Sequence, residues 1–79
     1  MIATLADGWD NTLMEITLNG AQTALPAGAS VAELLAQAGL AGRRVAVEVD
    51  GRIVPRSEHA SHVLRPGDRV EIVHALGGG

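Results

Sequence analysis

The strongest constraint on this chain is a pair of two-residue turn signals, Asn19-Gly20 and Asp50-Gly51, on either side of one short amphipathic segment. Both residues of each pair tolerate the positive φ of a type I′ hairpin turn. Before the first turn, Met14, Ile16 and Leu18 alternate with Glu15, Thr17 and Asn19; after it, Ala21–Leu25 reads as the return strand, broken by Pro26 and Gly28. Before the second, Arg44–Val49 puts Val45, Val47 and Val49 on one face, with Ala46 and Glu48 on the other. Arg52-Ile53-Val54 returns, and Pro55, which cannot donate a ladder hydrogen bond, ends that strand or places it at an edge. Between the hairpins, Ser30-Val31-Ala32-Glu33 fits a capping box, and Val31, Leu34, Leu35 and Ala38 follow helical spacing up to a stop at Gly39. Arg56–His62 is polar and irregular, Arg65-Pro66-Gly67-Asp68 suits a type II turn, and Arg69–His74 alternates Val70 and Ile72 against Arg69 and Glu71.

The order is therefore β-β-α-β-β-β. One amphipathic helix needs an apolar sheet face to cover, and a helix connecting two hairpins brings the first and last strands together in the sheet centre. The expected fold is α+β, a mixed sheet of four or five strands packed on one helix, the β-grasp arrangement of ubiquitin. In a chain of 79 residues this makes one domain, residues 14–74, with a tail over 75–79. Residues 1–13 lack either periodicity and hold the single aromatic residue, Trp9; they read as a loose extension preceding a start at Met14, the alternative being an arm anchored by Trp9. The core must then be built from aliphatic side chains alone, and modest stability is expected.

Several function classes fall away. Without cysteine there is no thiolate nucleophile, disulfide framework or cysteine-ligated zinc. A formal charge of −3 argues against nucleic acid, which needs a basic face. No apolar run approaches the roughly 18 residues of a membrane span, and no secretory signal is visible, so a cytoplasmic, monomeric protein is expected.

The remaining chemistry lies in the tail. Gly77, Gly78 and Gly79 follow directly on a strand and add no side chain to the core. Extended, Ala75–Gly79 reaches about 17 Å at 3.3–3.6 Å per residue, enough to thread a narrow channel and present a carboxylate. At this point the chain resembles a known family. Met14-Glu15-Ile16-Thr17-Leu18-Asn19-Gly20, Ser30-Val31-Ala32-Glu33-Leu34-Leu35, Val45–Val49 leading to Ile53-Val54-Pro55-Arg56, Pro66-Gly67-Asp68-Arg69-Val70-Glu71-Ile72-Val73 and the closing Gly77-Gly78-Gly79 together resemble the ThiS sulfur carriers of thiamine thiazole synthesis. The resemblance runs from Met14 to Gly79, and residues 1–13 have no counterpart in it.

The resemblance implies a carrier that is not itself an enzyme and binds no cofactor. An E1-like, ThiF-like adenylyltransferase would use ATP and magnesium to activate Gly79. A sulfur donor such as a cysteine desulfurase would convert the adenylate to a thiocarboxylate, and a ThiG-like thiazole synthase would take the sulfur. Gly77, Gly78 and Gly79 would thread the partner's active site, and Val54, Val73 and Leu76 are the candidate apolar contacts around the tail. The absence of cysteine and lysine also removes the side chains most apt to attack an activated Gly79 from within the chain. Two alternatives stay open: a carrier serving molybdopterin, cysteine or tRNA thiolation, and a β-grasp interaction domain without sulfur chemistry.

Other constellations carry less. His59 and His62 are spaced for a metal on a helix but lack a third ligand, and are expected in solvent. His74 reads as a polar strand end. Ser57, Glu58 and His59 adjoin in sequence, which does not supply triad geometry. Arg43, Arg44, Arg52 and Arg56 are expected on solvated faces, where an acidic partner surface could meet some of them. Gly39-x-x-Gly42 is a helix exit, with no strand before it and no lysine after it to make a phosphate loop.

Overall fold

The structure is a computed structural model that describes residues 12–74. In chain order it contains β1 (Leu13–Leu18), β2 (Ala21–Pro26), α1 (Val31–Gln37), β3 (Val45–Val49), β4 (Arg52–Val54), a 3-10 turn (Arg56–Glu58) and β5 (Arg69–His74). The strands form one sheet in the order β2-β1-β5-β3-β4. Within it β1 and β5 run parallel, while β1–β2, β3–β4 and β3–β5 are antiparallel. First and last strands thus lie side by side near the centre, as a crossover helix between two hairpins requires, and the arrangement is the expected β-grasp.

Both hairpins turn where the sequence places them. Asn19 and Gly20 have φ of 49° and 85°, and Asp50 and Gly51 have 52° and 84°, the paired positive values of a type I′ turn. The helix is closed at both ends by local chemistry. Ser30 Oγ accepts from the Glu33 amide at 3.1 Å, and the Ser30 amide donates to Glu33 Oε1 at 2.8 Å. At the other end Gly39, with φ of 77°, lets the Leu40 amide reach the Leu35 carbonyl at 2.7 Å and its own amide reach Ala36 at 3.1 Å, a Schellman stop. Leu40 then packs back against the core.

Thirteen aliphatic side chains form that core, from Met14 and Ile16 on β1 through Val31, Leu34 and Leu35 on α1 to Val70 and Ile72 on β5. Three positions differ from the sequence reading. Ala38 caps the helix and is exposed, because the helix ends at Gln37 and the stripe stops at Leu35. Leu64 enters the core from an irregular segment that carries no periodicity, held in place as its amide donates to the Ala29 carbonyl at 2.8 Å. Ordered structure also starts earlier than Met14. Leu13 is already paired with Pro26, and the Thr12 carbonyl accepts from the Ala27 amide at 2.9 Å, so the expected extension over 1–13 overruns the fold by two residues. Its remainder, Trp9 included, lies outside the described residues.

Asn19 has a second role that its turn propensity does not announce. The β1–β5 ladder ends at Leu18 and Val70, where the Asn19 amide still donates to the Val70 carbonyl at 2.9 Å. Beyond that the Asn19 side chain takes over as a substitute strand residue. Its Oδ1 accepts from the Ile72 amide at 2.8 Å and its Nδ2 donates to the Ile72 carbonyl at 3.3 Å. Replacing Asn19 with glycine keeps the positive φ and removes both bonds. Asn19→Gly is expected to cost about 1–2 kcal/mol, read as a lower urea midpoint at unchanged slope, with faster exchange of the Ile72 amide.

Candidate functional site

The last strand positions whatever chemistry the C-terminal residues carry. β5 occupies the middle of the sheet, with β1 on one side and β3 on the other. Its final residue, His74, is paired with Val45, the first residue of β3. The register continues inward through Ala46↔Val73, Val47↔Ile72, Glu48↔Glu71 and Val49↔Val70. Five residues of sequence separate His74 from Gly79. Leu76, Gly77, Gly78 and Gly79 lie outside the described residues; their launching point is the His74 end of the sheet.

One face of the sheet is covered by α1 and the other is open. Strand alternation puts Val73 on the open face at 61% exposure, with Ala46 opposite it. Glu48 and Glu71 face each other across the same strand pair, a like-charge juxtaposition that costs stability where it stands. Ile53 is 62% exposed and Leu13 64%. The open face is therefore a mixture of aliphatic and acidic side chains.

Val54 does not belong to it. It is buried at 4% and lies in the core, paired with Val47, so it is unavailable as a contact and its neighbour Ile53 takes the outward position. The reason is parity. A two-residue turn at Asp50-Gly51 pairs Val49 with Arg52, Glu48 with Ile53 and Val47 with Val54, and cross-strand partners share a face. The turn signal and the inward Val47 were both legible in the sequence, and together they place Val54 inside.

The histidines divide as well. His59 is not in solvent: it is 9% exposed, and its Nε2 lies 3.1 Å from the Val54 carbonyl oxygen, to which it donates as the Nε2–H tautomer. His62 is partly buried and His74 exposed. No group of three or more histidine, aspartate or glutamate side chains suited to a metal ion exists among the described residues. None of their helices is long and apolar enough to cross a membrane.

Similarity to known proteins follows the same outline. The ThiS family model matches residues 11–79. Over 66 residues the chain is 39% identical to proteins named thiazole synthase from Paramagnetospirillum magneticum and Magnetococcus marinus, a match taking in 84% of this chain and 20% of each of those. The chain thus spans one fifth of the length of these two relatives. It is 32% identical, again over 84% of its length, to the sulfur carrier protein ThiS of Escherichia coli, which it covers in full. The crystal structure of the thiamine biosynthesis protein ThiS from Geobacter metallireducens superposes with a TM-score of 0.72 at 30% identity, covering 84% of this chain and 100% of that one. A family match through every described strand, and a relative covered from end to end, show that the chain belongs to the ThiS family.

Proposed function

We propose that this protein is a sulfur carrier for the thiazole of thiamine, acting in the cytoplasm as a co-substrate and not as an enzyme. The reading rests chiefly on the full-length match to a protein named as a sulfur carrier, together with a central strand that delivers the chain toward three terminal glycines. The Gly79 carboxylate attacks the α-phosphorus of ATP in a ThiF-like adenylyltransferase, and pyrophosphate leaves. A carboxylate is a poor electrophile, and the mixed anhydride supplies AMP as its leaving group. Hydrosulfide, or a persulfide from a cysteine desulfurase, then attacks the acyl carbon and displaces AMP. With a persulfide, a thiol frees the thiocarboxylate by forming a disulfide with the donor's remaining sulfur. ATP and magnesium belong to the activating partner.

The consumer of that sulfur is a ThiG-like thiazole synthase. The reading draws support from the segments similar to this chain that occur within proteins named thiazole synthase. Gly77, Gly78 and Gly79 fit a channel that side chains would block, because glycine has no Cβ. Val73 on the open face and Leu76 on the tail serve as the apolar contacts beside that channel, with Ile53 in the outward place first assigned to Val54.

Intact mass spectrometry tests this directly. After incubation with a ThiF-like enzyme, ATP, magnesium and sulfide, the chain should gain the mass of one oxygen exchanged for sulfur, confined to the C-terminal peptide. An unchanged mass under conditions that thiocarboxylate an authentic ThiS would leave the β-grasp interaction domain as the better reading.

A further inference from the structure

Half of the arginines in the sequence converge on one pocket. Arg43, Arg44 and Arg56 line a pocket of about 290 Å³ together with Leu35, Val45 and His59. Arg43 and Arg44 come from the loop leading into β3, and Arg56 from the 3-10 turn after β4. No acidic side chain is among the lining residues, and the three guanidinium groups are exposed without an ion-pair or hydrogen-bond partner among the described residues. Like charges gathered around one pocket repel one another, and nothing in the described fold offsets that repulsion. The fold does not need them there, since the core is aliphatic and the floor is closed by His59 donating to the Val54 carbonyl.

Their position along the sheet supplies the reason. Val45, on the rim of the pocket, is the register partner of His74, so the arginines stand at the end of the sheet from which the tail departs. The other three arginines, Arg52, Arg65 and Arg69, lie toward the opposite end. Arg52 pairs with Val49 there, and the Arg69 amide donates to Asp50 Oδ1 at 3.0 Å. The two ends are separated by about 13 Å along β3 at roughly 3.3 Å per residue. At that far end the cations are interspersed with Asp50 and Asp68; at the tail end they stand together.

We propose that Arg43, Arg44 and Arg56 form a docking pocket for carboxylate side chains on the rim of the adenylating enzyme, orienting the carrier so that its tail meets the channel. The proposal rests on the carrier reading above. Three exposed guanidiniums suit a protein surface of aspartates and glutamates, which several forks can engage at once. Charges on the rim of an interface act mainly on encounter and register, so they belong where a flexible end has to find an entrance.

The test compares two charge-matched variants in steady-state adenylation with a ThiF-like enzyme, following pyrophosphate release. Arg43→Gln/Arg44→Gln/Arg56→Gln is expected to raise the KM for the carrier about tenfold at low salt, with kcat little changed and with a weaker dependence of KM on ionic strength. Arg52→Gln/Arg65→Gln/Arg69→Gln, with the same net charge, is expected to leave KM within about twofold. Amide spectra of both variants establish that each is folded. Equal KM values for the two variants would overturn the pocket while leaving the carrier reading intact. So would amide shifts at residues 43, 44 and 56 on adding ATP or inorganic phosphate without the enzyme, which would mark a small-anion site. A wild-type chain that releases no pyrophosphate would overturn both readings together.

Discussion

Removal of Gly78 and Gly79 is expected to abolish thiocarboxylation completely while leaving the fold unchanged. Every hydrogen bond and core contact described above lies within residues 12–74, and the shortened chain would still hold all thirteen core side chains. The truncated protein should therefore unfold at the wild-type urea midpoint, yet show no mass gain with adenylyltransferase, ATP and sulfide. Shortening by two residues withdraws the carboxylate by about 7 Å, at 3.3–3.6 Å per residue, and attack on the α-phosphorus of ATP requires contact distance. A bulky terminal residue should act more mildly. Gly79→Val keeps the reach but crowds the acyl carbon, so a slower mass gain is expected than for the native chain. Undiminished thiocarboxylation of the truncated chain would overturn the role assigned to Gly79.

Leu34→Ala is expected to produce the largest loss of stability, about 3 kcal/mol, with the transition in urea as its measure. Leu34 is 0% exposed, on the face of α1 that covers the sheet. Truncation removes apolar contact and leaves a cavity that a small body can fill only by shifting the seven-residue helix. The domain has little in reserve. Its core holds no aromatic side chain, and a body of this size buries a smaller fraction of its surface than a larger one. The variant should be partly unfolded at 37 °C, and sulfur loading should fall in proportion to the folded fraction. A control at Val73, 61% exposed on the open face, should leave the urea midpoint nearly unchanged on replacement by alanine.

Much of the architecture was legible because short-range chemistry encodes it. Asn19-Gly20 and Asp50-Gly51 name their turn type through the φ values they permit, Ser30 and Glu33 name the helix start, and Gly39 names its end. Alternation over Met14–Leu18 and Arg69–His74 then settles which side chains point inward. The family resemblance came from the same segments, and the matches to ThiS proteins bear it out. The errors arose where a local rule was applied alone. Val54 was taken as a surface residue because its own three-residue strand was too short to show a pattern, although the hairpin register decides its face. His59 was placed in solvent by residue type, while the chain fold carries it under β4 to meet a carbonyl.

The sequence by itself determined the turns, the helix limits, the strand parity and the glycine tail, because each depends on residues within a few positions of one another. Tertiary structure alone decided the contacts between residues far apart in the chain. The Asn19 amide latches onto Ile72 53 residues away, Leu64 completes a core from an aperiodic loop, and Arg56 joins Arg43 and Arg44 beside the tail. No local periodicity encodes such meetings. They follow from the order of strands in the sheet, which exists only once β1 and β5 have found each other.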